Sequence, residues 1–284
     1  MDPKNLGKSL NDLIDSIYGF FMENITIIET EERDLTNSML IVAFPTVGLI
    51  SSIAGHHILQ TLEMHEIGGI ISNKFMPTTV IRKGHPSPPV RIYSGEKICG
   101  PDDTCDQITM IISEFMPQFE IINSLVDSIL TWSKEKKIKV IACLEGTRKK
   151  QEESEEIEEK DTETSEKVYG VASSDSMKKT MKKYNIDLID EGMITGVSGV
   201  LLYTAYLQKQ DVFCLLSEAH SSYPDSRAAA NIIHKLDVML PGIKIDPKPL
   251  LKEAEEIEQK IKSFMEQSKP SPPPQSSIPL GMYR

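Results

Sequence analysis

The sequence has 284 residues, 31 Lys+Arg against 42 Asp+Glu, a formal net charge of -11, and 39% hydrophobic residues. That length suits one large α/β domain or two small ones, each able to bury a sizeable core. A negative balance with no block of Lys/Arg excludes the concentrated positive face that nucleic-acid binding requires. No apolar run approaches the ~20 residues of a membrane span and Met1-Asp2-Pro3-Lys4 opens no signal-peptide pattern, so a cytoplasmic setting is expected.

Leu6, Leu10, Leu13, Ile14, Ile17 and Phe21 recur at helical spacing and predict an amphipathic N-terminal helix over residues 1–22, which must pack on the body of the fold or on a neighbouring subunit. A core domain over 23–246 follows. Ile25–Glu29 reads as an edge strand. Met39–Phe44 is continuously apolar, as a strand buried on both faces of a parallel sheet requires. Pro45-Thr46-Val47-Gly48 turns it into a helix over Leu49–Leu62.

The same grammar repeats. Strand Glu66–Ile71 leads to a β-rich stretch Thr78–Glu96, expected as an antiparallel insertion at one edge. Strand Ile108–Ser113, helix Gln118–Lys134 and strand Lys139–Leu144 come next. Beyond a charged run stand strand Val168–Ala172, helix Ser176–Tyr184, strand Leu188–Met193, helix Val197–Gln208, strand Val212–Leu216 and helix Asp225–Leu240. Buried strands alternating with amphipathic helices predict a three-layer α/β/α sandwich around a mostly parallel sheet. Lys178-Lys179 and Lys182-Lys183 sit at helical spacing, as one solvated face.

Two segments are compositionally biased. Lys149–Lys167 holds nine acidic and four basic residues with one aliphatic, Ile157, so it carries nearly half of the net charge and buries too little to offset its ordering entropy. It is expected as a mobile acidic loop, either a docking arm or a tolerated insertion. At the other bias, a C-terminal helix is expected over 247–267, with Leu250, Ala254, Ile257, Ile261 and Phe264 spaced four, three, four and three: a narrow coiled-coil-like seam that wants a partner helix, in cis or from another subunit. Within the tail expected over residues 268–284, Ser268–Leu280 has the composition of an extended proline-rich spacer whose thirteen residues reach roughly 40 Å at ~3.1 Å per residue.

Candidate chemistry is sparse. Cys99 and Cys105 flank the turn Gly100-Pro101-Asp102-Asp103 without CxxC spacing, and Cys143 and Cys214 sit in apolar strands as small core residues. His56 and His57 are adjacent on a helix and point about 100° apart, and His65, His85 and His234 have no His or Cys at ligand spacing, so no metal or cofactor is expected. Gly196-Val197-Ser198-Gly199 at a strand-to-helix junction has the character of an anion cradle or of a tight turn with close helix–sheet packing. Glu218-Ala219-His220, followed by Asp225, puts a His and two carboxylates at a strand end, for acid/base work or for mutual pairing, with Asp225 also readable as a helix N-cap. Met282-Tyr283-Arg284 offers an apolar anchor, an aromatic with a hydroxyl and a free carboxylate at the end of the arm, a three-point plug for a receptor pocket.

Several stretches together resemble the proteasome-assembly-chaperone-2 family, particularly its archaeal members: Phe44-Pro45-Thr46-Val47-Gly48-Leu49-Ile50 with Ala54, Gly192 with Gly196-Val197-Ser198-Gly199-Val200-Leu201-Leu202, and Glu218-Ala219-His220 with Pro224-Asp225, Ala228-Ala229-Ala230 and Leu236. The resemblance covers roughly residues 20–240. It implies a non-enzymatic homo-oligomer, tetramer or pentamer, that binds the α-ring subunits of the 20S proteasome core particle to aid assembly or to open its gate without ATP. Met282, Tyr283 and Arg284 are similar to the hydrophobic-tyrosine-any (HbYX) tail by which archaeal relatives and proteasomal ATPases dock between α subunits. The family resemblance departs at Thr46, where many relatives have Gly, and at Ser51-Ser52. The alternative function is an enzyme resembling nucleoside phosphorylases, using Gly196–Gly199 for an anion and Glu218/His220 for acid/base chemistry.

Overall fold

The computed structural model describes residues 25–99, 105–148, 167–220 and 223–255. Five-residue strand β2 (Met39–Ala43) is buried along its whole length, as its unbroken apolar sequence demands. It lies at the centre of a nine-stranded sheet with β1 (Ile25–Glu29), β3 (His65–Ser72), β6 (Val90–Ser94), β9 (Ile108–Ser113), β10 (Val140–Arg148), β11 (Val168–Ala172), β12 (Asp187–Leu188) and β13 (Val212–Ala219). The order across the sheet is β1-β3-β6-β9-β2-β10-β13-β11-β12, so β1 is the edge strand that its sequence predicts.

Helices cover both faces. Helices α1 (Ile50–Thr61), α3 (Asp175–Lys183) and α5 (Ser226–Met239) pack on one side, and α2 (Phe119–Glu135) and α4 (Gly196–Gln208) on the other. In α2 the buried residues Ile121, Ile122, Leu125, Val126, Ile129 and Leu130 follow the helical repeat and form one stripe against the sheet. Two apolar cores therefore sandwich the strands, one centred on Ile41, Ile58, Phe213 and Ile233, the other on Leu40, Leu125, Cys143 and Leu201. This is the α/β/α layering that the alternation of elements predicts.

The sheet is mixed, which corrects the expected mostly parallel arrangement. β9, β2, β10 and β13 run parallel, whereas β1, β3, β6 and β9 are joined by antiparallel pairing and β11 runs antiparallel to β13. A parallel crossover needs a helix to return the chain to its starting end. None stands between β3 and β6 or between β6 and β9, so those strands alternate in direction. For the same reason Thr78–Glu96 is only partly the edge insertion expected of it: its second half becomes β6, inside the sheet, and only β4 (Val80–Arg82) and β5 (His85–Ser87) form a separate hairpin. The expected strand Leu188–Met193 also shrinks to β12, because the chain leaves the sheet edge after Leu188 and crosses to the opposite face, where Ile189 and Ile194 pack.

β7 (Ile98–Cys99) and β8 (Cys105–Asp106) form a two-stranded ribbon with Cys99 opposite Cys105. A further helix begins at 248 and continues through 255. In it Leu250 and Ala254 are 5% and 4% exposed and pack inside the chain, so the first two positions of the predicted seam have their partner in cis. Ile257, Ile261 and Phe264, the N-terminal helix, most of the acidic run and the proline-rich arm lie outside the described residues. No helix among the described residues is long and apolar enough to cross a membrane.

Candidate functional site

β2, β9, β10 and β13 run parallel, so their carboxyl ends lie on one side of the molecule, with β10 and β13 continuing past the end of β2 to Arg148 and Ala219, and the crevice beyond the carboxyl ends of parallel strands is where α/β folds place their sites. After β2 the chain passes through Pro45 and Thr46 into a short 3-10 turn, Val47–Leu49, in which Gly48 and Leu49 both take left-handed backbone angles (φ 63 and 52). Gly48 is obligatory there on a second ground: a Cβ would stand 2.9 Å from Ala219 Cβ and 3.0 Å from the His220 carbonyl oxygen. The turn lies across the ends of β10 and β13. Gly146 accepts it by lacking a side chain, since a Cβ there would meet Val47 O at 2.1 Å.

Asp225 locks this knot. Its backbone N donates to Gly48 O at 2.8 Å, while its carboxylate accepts from His220 N (3.1 Å, Oδ2) and Ala228 N (2.9 Å, Oδ1). The residue is 4% exposed and caps α5, as its position in the sequence predicts. The stretches Phe44–Ile50 and Glu218–His220 with Asp225, distant in sequence, are thus one structural unit. The His220 ring stacks on Tyr223 with centroids 4.6 Å apart. Glu218 lies half-buried beside Thr147 in the β10–β13 register.

On the opposite face the glycine-rich stretch opens α4. Gly196 has φ +72, and a Cβ on Gly199 would fall 2.1 Å from Ile194 O. The two glycines therefore serve a tight turn and close packing. Nearby stands a residue that periodicity alone does not single out: Glu145, directly after the apolar Val140–Leu144 of β10. Burial pushes its carboxyl up to about 7, against a lowering hydrogen bond with Ser198. One acidic residue continuing a buried apolar run was the available signal. Burial likewise pushes the Cys143 thiol up to about 12 and raises Cys214 well above its ordinary value, so both are inert core residues in line with their apolar surroundings.

A second polar cluster lies beneath the β4–β5 hairpin. Arg91 on β6 is fully buried; its Nη2 donates to Glu114 and its Nε to Tyr93 Oη at 3.1 Å. Tyr93 Oη donates to Glu66 at 3.0 Å and accepts from Arg82 at 2.6 Å, and Ser87 Oγ donates to Glu66 at 3.2 Å. His56, with Nε2 3.6 Å from Glu114 Oε1, and then Arg91 hold the Glu114 carboxyl down to about 2, although burial works the other way. His57 points elsewhere, to Asp246 O at 2.8 Å, so the adjacent histidines diverge as their helical spacing requires.

Among the described residues, no group of three or more His, Cys, Asp or Glu is arranged to hold a metal ion. Surface depressions lined by Leu62, Gly95, Ile98 and Ile243 and by Pro241, Lys244 and Pro247 lie away from the strand ends where Glu218 and His220 sit. The predicted terminal plug Met282, Tyr283 and Arg284 is outside the described residues. The exposed surface of α2 and α4, by contrast, carries Phe119 (82% exposed), Tyr206 (67%) and Leu207 (72%).

The model of the PAC2 family matches residues 40–265. An uncharacterized protein of Methanocaldococcus jannaschii, MJ0106, is 30% identical over 246 residues, which span 87% of this chain and 93% of the relative. Among solved structures, Pyrococcus furiosus PbaA, an archaeal homolog of proteasome-assembly chaperone, superposes with a TM-score of 0.71 and 29% identity over 86% of this chain and 92% of its own. Pyrococcus furiosus PbaB, an archaeal proteasome activator, gives a TM-score of 0.70 over 86% and 100% of the two chains, at 21% identity, where the likeness is one of fold.

Proposed function

The chain belongs to the PAC2 family, and we propose that it is a binding protein of the 20S proteasome, docking Met282, Tyr283 and the Arg284 carboxylate into pockets of the α ring to promote assembly or gate opening. The reading rests on one observation in particular: the 29% identity to PbaA across 86% of the chain comes together with a Met-Tyr-Arg terminus behind a proline-rich spacer. A plug of one Met and one Tyr gains only a few kcal/mol before ordering costs. One arm is therefore weak, and several arms on a homo-oligomer, each at an effective concentration near the millimolar range, raise avidity on the order of a hundredfold or more.

The polar groups at the strand ends support a binding role over catalysis. Asp225 is committed through its backbone and both carboxylate oxygens to the turn, and Gly199 is committed to helix packing. That leaves the phosphorylase-like alternative with Glu218 and His220 for acid/base work but with its anion loop, Gly196–Gly199, serving a tight turn and close packing. The deciding experiment is co-purification with an archaeal 20S core particle and stimulation of its peptide hydrolysis, using the full chain, a chain lacking residues 282–284, and Tyr283→Ala. The full chain should bind and stimulate, and both variants should lose at least tenfold. Undiminished stimulation by the truncated chain would overturn the reading.

A further inference from the structure

Of the four cysteines, two are closed off and two are brought together. Cys143 and Cys214 are fully buried, and burial pushes both thiols up. Cys99 and Cys105 lie instead on the β7–β8 ribbon, directly opposite each other in antiparallel register. That register is inherited from the sheet. β6 and β9 pair antiparallel as far as Ser94 and Thr109, and the ribbon continues their hairpin outward after a register step of one residue. Its root is fastened: Gly95 N donates to Ile108 O at 2.8 Å, and the buried Gln107 amide donates to Ser94 Oγ (3.3 Å) and to Gly95 O (3.2 Å). Residues directly opposite in an antiparallel pair have Cα atoms about 4.5 or 5.5 Å apart, according to whether the pair is non-hydrogen-bonded or hydrogen-bonded. Both values fall within the roughly 4.4–6.8 Å that a disulfide spans.

We infer that Cys99 and Cys105 are a reversible redox site, closing a cross-strand disulfide in the presence of a small-molecule disulfide such as oxidised glutathione and reopening when it is reduced. The thiolate of one cysteine attacks a sulfur of the small disulfide, giving a mixed disulfide and releasing one reduced thiol. The thiolate opposite then attacks the protein sulfur of that mixed disulfide, which forms the Cys99–Cys105 bond and releases a second reduced thiol. Two electrons pass from the cysteines to the small disulfide, and their two protons end on the released thiols. Glu96, Lys97 and Ile98, which lead into the ribbon, are exposed, so the reagent has access from solvent. In a compartment held reducing by glutathione such a pair is a reversible sensor and not a permanent staple.

Closure has a mechanical consequence. A ribbon of two residue pairs buries too little to be firm by itself, yet Asp106, opposite Ile98 and next to the cysteine pair, ties down the segment that leads to the C-terminal helix. Its Oδ2 accepts from Gly242 N at 3.1 Å, and a Cβ on Gly242 would stand 2.8 Å from the same oxygen. Ile98 and Ile243 line one depression between the ribbon and this segment. Two further bonds hold it to helices of the core, Ile245 N to Asp237 Oδ1 of α5 and His57 Nε2 of α1 to Asp246 O, both 2.8 Å. The Asp106 tie stands on the ribbon, so the disulfide firms it. The redox state of Cys99 and Cys105 thereby sets how tightly the root of the C-terminal helix is held, whether or not the arm beyond it binds proteasomes.

The test incubates the full chain in glutathione buffers running from reduced to oxidised, quenches with a maleimide, and reads intact mass and peptide maps. The oxidised wild type should be lighter by two hydrogen atoms, show Cys99 linked to Cys105, leave Cys143 and Cys214 as thiols, and return to the dithiol on reduction. Cys99→Ser and Cys105→Ser should each stop at the mixed disulfide, carrying one glutathione. Hydrogen exchange over residues 240–246 should slow by roughly threefold or more when the wild type is oxidised, and should not respond to the buffer in Cys99→Ser/Cys105→Ser. A wild type whose Cys99 and Cys105 stay reduced, stay glutathionylated, or link separate chains at the oxidised end overturns the inference. So does protection of both thiols without loss of the two hydrogens, since a bound metal would then hold the pair. Exchange over 240–246 that ignores the disulfide overturns its tie to the C-terminal segment.

Discussion

Replacing Glu145 with glutamine should stabilise the protein at neutral and alkaline pH and leave it unchanged in mild acid. Glu145 follows the apolar run of β10 in a half-buried site, and burial raises its pKa from 4.5 to about 7. The folded state therefore holds a proton that the unfolded state releases between those two values, and stability falls as pH rises through that window. Above pH 7 the full penalty is present, about 3 kcal/mol at ~1.36 kcal/mol per pKa unit. Glutamine preserves the shape and a hydrogen bond to Ser198 without a titrating proton, so it removes the penalty. Urea unfolding of the wild type and Glu145→Gln at pH 4, 6 and 8 should give differences near zero, intermediate, and about 3 kcal/mol. The last corresponds to a rise in Tm of roughly 6–12 °C for a domain of this size. A difference that stays constant with pH would show that the carboxyl titrates normally in the folded protein, and the burial argument would fail.

Gly199→Ala reverses an ordinary preference. Alanine in a helix is favoured over glycine by about 1 kcal/mol, but here its methyl would stand 2.1 Å from Ile194 O, which belongs to backbone and cannot rotate away; a net loss of more than about 2 kcal/mol in chemical denaturation is expected, and a variant as stable as wild type would contradict the packing role. Glu114→Gln removes the charge partner of fully buried Arg91. Because the Glu114 side chain is itself 37% exposed, the loss at pH 7 is discounted to about 1–3 kcal/mol. Glu114 has a depressed pKa, so its contribution is present above pH 4.5 and disappears as pH falls towards about 2; wild type and variant should converge in stability across that range, and parallel curves would refute the assignment.

Much of the architecture was legible because hydrophobic patterning reports burial directly. Five unbroken apolar residues at Met39–Ala43 become a strand buried on both faces, and the helical repeat over Phe119–Glu135 becomes the stripe that covers the sheet. The N-cap role of Asp225 was readable for a similar reason, since capping depends only on local chain geometry. Strand direction was less accessible. The absence of an amphipathic helix before β6 and β9 did signal antiparallel returns, but the placement of β6 inside the sheet depends on pairing with β3 and β9, which no local pattern encodes.

The candidate site divides along the same line. By itself the sequence determined the alternation of strands and helices, the inert environment of Cys143 and Cys214, and the biased terminus that carries Met282-Tyr283-Arg284, because composition and period act within a few residues of each position. Only the tertiary structure decided that Gly48, Gly146 and Asp225 belong to one knot, that Leu250 and Ala254 are buried by their own chain, and that the uncharged α4 leaves Tyr203, Tyr206 and Leu207 exposed. Each of these is a property of which distant segments meet. A carboxylate such as Glu145 acquires its raised pKa from neighbours that the chain supplies only once the sheet has brought them together.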